Sequence, residues 1–359
     1  LVQIEYDDYE PIKFNIDDKI KEIKGIVKRI KNELGKDDPI SKIIIRNSIS
    51  NIHTLEALRH RGTKKFYEYS KKLYGSSNDE ILDKKTLIEI ANNITSIIKN
   101  WKKIRNTSNE QIDSEKAAKI LKKRLKEYFK RDIEVYIADN LSSDALASKD
   151  GIVIRKGARF TKDTLNVYEV HEGWVHIGCF LNEKMQPYVK NLSYLCPRTE
   201  IIQEGLAVFF ELLSLSIYPE RAQKIVDRVR AINMAENGGN FLDIMNWYKE
   251  NGYSEKESFI NTARIFQGGD INGYPNTRDL AYLKGAIEII KYINVVLENE
   301  KHDLLPLLFV GFFAIEDMLD LYSLYNDYIV VKPKYIPAIF EKNYLNKFFN
   351  QFKFIIKHI

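Results

Sequence analysis

A chain of 359 residues is long enough for one large domain or two, and it can bury a sizeable core. A hydrophobic share of 44% excludes a disordered protein, and two cysteines, Cys179 and Cys196, exclude a disulfide framework and fit a reducing compartment. No apolar run reaches the ~18 residues that a membrane-spanning helix needs, and the modest net charge of +5 does not by itself mark a nucleic-acid binder.

In chain order, residues 1–36 read as a mobile start followed by an amphipathic helix from Asp17 to Leu34, with Ile20, Ile23, Ile26, Val27 and Ile30 on one side. The first 30 residues carry no signal-type core, so the expected compartment is the cytoplasm; beginning at Leu1, the chain leaves room for a removed upstream segment. Helical patterns follow over Asp38–Tyr74, Asp83–Ile104 and Ser114–Tyr128, broken at Gly75–Asp79, with Ser114 as an expected N-cap. Phe66, Tyr69 and Leu73 stand at helical spacing among lysines, which predicts a buried stripe with a charged outer face. Residues 99–131 hold twelve Lys/Arg against four Asp/Glu, so this window carries +8 and the remainder about −3. Such a stretch suits a solvated helix face or an acidic partner, and no nucleic-acid motif accompanies it.

After Arg131 the pattern changes. Ile133–Ala138 and Ile152–Arg155 read as strands separated by a polar loop through Gly151, and Phe160-Thr161 opens a further helix. Pro197 marks the start of a helix over Arg198–Ser216, and more helices are expected over Glu220–Asn237, Asn240–Glu250, Ser254–Phe266 and Thr277–Leu297. The glycine-rich Gln267–Tyr274 lacks both phosphate-loop and dinucleotide spacing and reads as a loop. Residues 302–359 look mostly helical, with Pro306, Pro333 and Pro337 as breaks. The expected fold class is mostly α with a small β-sheet (α+β). The expected organisation is an extension at 1–36, a helical region at 37–131, a catalytic domain at 132–330 and a helical segment at 331–359 packed on it.

The stretch richest in chemistry is Glu169-Val-His-Glu-Gly-Trp-Val-His176. His171 and His176 are two of only six histidines, and Glu172 lies beside the first. Imidazole nitrogens plus a carboxylate suit a zinc ion, which keeps an open position when it is catalytic. The spacing departs from H-E-x-x-H, because position i+4 is Val175 and the second histidine stands at i+5. On a regular helix these rings diverge by roughly 140°. One extra residue in the turn, a π-bulge, makes them converge, and Gly173 lowers the preference for a regular helix there. A later helix offers Glu200 and Glu204 on one face, and on spacing alone either one completes the set.

These pieces together resemble the tyrosine carboxypeptidase family of zinc metallopeptidases, which includes the microtubule-associated tyrosine carboxypeptidases and a bacterial branch named after its QEGLA motif. The matching stretches are Val170–His176, Gln186-Pro187, Gln203-Glu-Gly-Leu-Ala-Val208, Thr277–Gly285 and the Lys65–Gly75 region, and the likeness covers residues 45 to 330. The resemblance implies a zincin-like core and one Zn²⁺ held by His171, His176 and Glu204. It also implies Glu172 as acid/base and a peptide or protein C-terminus as substrate, with an aromatic residue such as tyrosine as the candidate last residue. An edge strand beside the metal holds an extended substrate in such cores, and Ile152–Arg155 is expected in that place, with Arg155 as a substrate contact. Tyr282 is the candidate donor to the developing oxyanion, and Arg264 or Arg278 could clamp a substrate carboxylate. Two rivals remain. Cys179 with His176 could form a thiol nucleophile and base. A regulatory zinc-binding protein without turnover is the other, in keeping with the bacterial branch's name as a modulator of flavohaemoglobin expression.

Overall fold

The computed structural model describes residues 11–82, 84–103, 110–139, 141, 143–189, 192–340 and 343–349. The expected mobile start at 1–10, Arg105 of the basic window and the chain end at 350–359 lie outside the described residues.

The chain opens with helix α1 (Ile16–Glu33), whose first amides are accepted by the Asn15 side chain. Its stripe is half-buried rather than buried: only Ile20 is fully covered, and Ile26 turns outward. The long helical pattern up to Tyr74 divides into α2 (Pro39–Arg59) and α3 (Lys64–Tyr74). In α3 the fully buried positions are Phe66, Ser70 and Tyr74, four residues apart, while Tyr69 and Leu73 are half-buried. A small hairpin, β1 (Glu80–Leu82) and β2 (Lys85–Thr86), precedes α4 (Leu87–Lys102), where Thr86 and Glu89 form a reciprocal cap. After β3 (Ile112–Asp113) comes α5 (Ser114–Phe129). Its cap is Asp113, not Ser114, because the Asp113 carboxylate accepts the Lys116 amide at 2.7 Å. Much of the local positive charge is answered within the chain: Lys122 pairs with Glu134, Lys126 with Asp132 and Arg124 with Glu169.

Strands β4 (Glu134–Ala138), β5 (Ala145–Ser148) and β6 (Gly151–Arg155) form one sheet in the order β4-β6-β5. β4 runs parallel to β6 and β5 antiparallel to it. This corrects the strand expectations twice. The stretch read as a polar loop contains β5, and Ile152–Arg155 occupies the centre of the sheet rather than its edge. The apolar run Ile152-Val-Ile, buried throughout, fits a central strand, whereas β5 is half-exposed with one unpaired edge.

A short strand, β7 (Arg159–Phe160), pairs with β3 and leads into α6 (Lys162–Tyr168), capped by Thr161. The helix then widens into a π-helical segment, Glu169–Ile177, and returns to α geometry in α7 (Gly178–Met185). Next come α8 (Pro197–Leu213), α9 (Pro219–Glu236), α10 (Phe241–Glu250), α11 (Glu255–Phe266) and α12 (Ala281–Glu298). The tail is mostly helical, as expected, but in short pieces. Beyond α12 the one regular helix that spans more than a turn or two before residue 340 is α13 (Met318–Asn326), flanked by short 3₁₀ turns at His302–Leu304, Pro306–Phe309, Ile315–Asp317 and Ala338–Phe340. Prolines at 306 and 337 start such turns instead of separating long helices. The chain is therefore mostly helical with small sheets, an α+β fold, and no helix among the described residues is long and apolar enough to cross a membrane.

Helix α8 is the axis of the molecule, buried along nearly its whole length. It packs on α12 on one side and on the π-helical segment on the other. The α8–α12 crossing is closed by two glycines: a Cβ on Gly205 would overlap the Gly285 backbone, and one on Gly285 would overlap the Ile201 carbonyl. At its start α8 is tied to the rest by Arg198, which bonds Asp317 at 2.8 Å with both guanidinium nitrogens, while Arg46 of α2 reaches the same carboxylate at 2.9 Å. A second core joins α4, α9, α10 and α12, and a third joins α5 to the three-stranded sheet.

Because the atoms facing Gly285 are backbone, no rotamer change can relieve an added methyl. Gly285→Ala is expected to cost about 1–3 kcal/mol, measured as a lower urea midpoint with an unchanged slope. Gly25→Ala, on α1 with nothing within 4 Å of the new methyl, is expected to hold or slightly raise stability by about 1 kcal/mol at most.

Candidate functional site

In the π-helical segment the Gly178 amide donates to the Gly173 carbonyl five residues back, so positions five apart lie on one face. His171 and His176 consequently face each other edge-on, with ring centroids 4.9 Å apart. The widened turn leaves little space at Gly173, where a Cβ would strike the Leu125 side chain of α5. Trp174, the next residue, stacks on Tyr128 with centroids 4.9 Å apart. Both contacts hold the segment against α5.

Glu204 comes to the same point from α8. One ligand atom from each of His171, His176 and Glu204 lies within 4.8 Å of the other two, and His171 Nε2 is 3.2 Å from Glu204 Oε2. That oxygen is buried, yet no donor among the described residues hydrogen-bonds it. Two imidazole nitrogens and an unsatisfied buried carboxylate oxygen form a donor set that fits a divalent ion of the zinc type.

Glu200 points to a different set. It accepts the Tyr74 hydroxyl at 2.7 Å and the Arg278 guanidinium, through Nε at 2.8 Å and through Nη2. Its charge is thus satisfied away from the imidazoles. Glu172, nearly buried, accepts the Ala147 amide of β5 on Oε2 at 2.7 Å, while Oε1 stands 4.0 Å from His171 Nε2. The carboxylate therefore hangs between the sheet edge and the trio.

Tyr282 of α12 lies over His171 with ring centroids 6.5 Å apart. Burial, reinforced by the Glu204 charge, pushes its hydroxyl up to about 12, so it keeps its proton as a donor. Arg264 forks onto Asp279 at 2.6 and 2.8 Å. Arg155 pairs with Asp144, three residues along β6 from Ile152, the position opposite Ala147; that is roughly 10 Å at strand rise. The structure thus brings His171, His176, Glu204, Glu172 and Tyr282 together, sets Arg264 and Arg278 in ion pairs nearby, and leaves Arg155 farther along the sheet. The thiol alternative loses its chemical basis: burial pushes the Cys179 thiol up to about 12, the opposite of an activated nucleophile.

Sequence reading missed two partners. Glu211, seven residues beyond Glu204 on the same face of α8, accepts from His171 Nδ1 at 2.7 Å, and Arg221 of α9 forks onto Glu211 at 3.0 and 2.8 Å. The available signal was Glu211 itself, a lone charge in the apolar run Leu206–Leu213. These charges set the protonation of the site. Burial pulls the His171 pKa down, but Glu204 and Glu211 outweigh it and hold the ring up at about 10. Burial and the charge on His171 lower His176. Burial would raise Glu204, yet the two imidazoles bring it down to about 2.

The family model for microtubule-associated tyrosine carboxypeptidase matches residues 3–357, nearly the whole chain. No curated protein matches it.

Two outcomes follow from the geometry. Glu211→Gln keeps the shape but removes the charge that orients and polarises His171, so affinity for a divalent ion should fall about 10–100-fold in a chelator competition. Held up at about 10, His171 carries a proton at neutral pH, while Glu204, held down at about 2, does not. Metal uptake then displaces one proton, and affinity should rise roughly tenfold per unit between pH 6 and 8 after correction for chelator protonation. A pH-independent affinity would mean that His171 is neutral before the metal arrives.

Proposed function

The chain belongs to the microtubule-associated tyrosine carboxypeptidase family, and from that premise we propose that it is a zinc-dependent carboxypeptidase. It would remove one C-terminal residue, tyrosine first among the candidates, from a peptide or protein. The observation that carries this reading is the convergence of His171, His176 and Glu204 with a carboxylate, Glu172, held beside them. A purely structural metal site has no need of that fourth group.

A bound zinc ion would polarise the scissile carbonyl and bring its water toward a pKa of ~7. The chain's own residues do the rest. The Ala147 amide holds one oxygen of Glu172 and leaves the other toward the trio, where it can take a proton and pass it to the leaving amine. Tyr282, protonated at neutral pH, can donate to the developing oxyanion. Glu211, clamped by Arg221, fixes the His171 ring so that Nε2 faces Glu204. The unpaired edge of β5 can hold an extended substrate by its main chain, a part first assigned to Ile152–Arg155. The helix-π-helix, α8 and this sheet are read together as a zincin-like core within a catalytic domain at 132–330. Two buried free cysteines suit a cytoplasmic setting.

A peptide-library digest read by mass spectrometry should show loss of single C-terminal residues, whereas internal cuts would replace the carboxypeptidase by an endopeptidase. Glu172→Gln should lower turnover about 10²–10⁴-fold with zinc still bound at one per chain. Retained turnover in that variant would remove Glu172 from the chemistry.

A further inference from the structure

The arginines first expected at the substrate are all engaged: the two carboxylate candidates, Arg278 by Glu200 and Arg264 by Asp279, and the contact residue Arg155 by Asp144. Arg228, which no sequence pattern singled out, is different. Its Nε and Nη1 are buried and make no hydrogen bond among the described residues. The carboxylate within ion-pair distance of it, Asp279, stands 3.6 Å from Nε and already accepts the Arg264 fork. Two guanidinium groups thus face one carboxylate, and an additional anion would balance the group. Buried charged donors without acceptors are rare in native proteins and mark places where a ligand completes the set.

Position narrows the ligand. The Arg228 guanidinium lies over the Tyr282 ring, 4.8 Å from its centroid, and the same ring stands 6.5 Å from that of His171. Arg228 is therefore no farther from His171 than those two distances combined. One residue of extended chain spans about 3.5 Å, so a carboxylate one residue beyond a carbonyl held at the trio falls within this interval.

We infer that Arg228 receives the terminal carboxylate of the substrate chain and thereby sets the register of cleavage one residue from the end. This rests on the carboxypeptidase reading, and binding and turnover tell the two apart. The probes are a fluorescent hexapeptide ending in tyrosine as the free acid and the same peptide as its C-terminal amide. The zinc-loaded protein should bind the acid at least 30-fold more tightly than the amide, and Arg228→Gln should abolish that preference while keeping the zinc content and the melting temperature. Arg228→Lys should restore part of it. Arg230→Gln, on the same helix but paired with Asp227, should leave it unchanged. Cleavage with an unaltered acid preference in Arg228→Gln overturns the inference and spares the carboxypeptidase. Acid-selective binding that depends on Arg228 but leads to no cleavage supports Arg228 as the carboxylate receiver and overturns both its part in the register of cleavage and the carboxypeptidase. Equal binding of acid and amide by the unmodified chain overturns the inference whether or not peptide is cut.

Discussion

Two imidazoles five residues apart can face one point only if the helix between them widens, and much of this structure serves that widened turn. A π-helical segment is intrinsically less favourable than an α-helix, so its nine residues need support from outside. Support comes from α5, whose Leu125 fills the space that Gly173 leaves open and whose Tyr128 stacks on Trp174. It also comes from α8, packed along the opposite side. A methyl at 173 would meet the tip of the Leu125 side chain, which would have to turn aside to admit it.

Helix α8 carries the second burden, three glutamates on one buried face. Each meets a separate answer to the cost of its desolvation. Glu200 is taken by Arg278 and Tyr74 and Glu211 by Arg221 and His171, whereas the Glu204 oxygen that stands 3.2 Å from His171 Nε2 makes no hydrogen bond among the described residues. Charges buried in this way are tolerated when each is paired and hydrogen-bonded. The incomplete pairing at Glu204 sets it apart from the other two glutamates. The Gly205–Gly285 crossing places all three at a fixed height, because helices in backbone contact cannot slide without collision.

Most of the helices, the α+β character and the widened turn were legible in the sequence, since hydrophobic period, caps and an i,i+5 histidine pair are local signals. Strand order was not. Whether Ile152–Arg155 stands at the centre or the edge depends on where β5 pairs, and β5 hides in Ala145-Leu-Ala-Ser148, a run too short and too weakly β-branched to register. Residues beyond 300 are mostly helical, as their apolar content suggested, but in short pieces: α13 and 3₁₀ turns build a core around α8 there. At the site, local motifs identified the histidines and Glu172. The motif also carried Glu204, but spacing could not separate it from Glu200, because that choice depends on where Arg278 points. Glu211, Arg221 and Arg228 lay beyond any local pattern, being defined by which helix packs across from which.

The charge on His171 explains how two carboxylates can converge on one buried ring. Without a cation between them, Glu204 and the paired Glu211 would repel across a buried ring. A protonated His171 prevents this: it donates to Glu211 through Nδ1 and faces Glu204 through Nε2. The proton on His171 therefore offsets the two carboxylates that flank its ring.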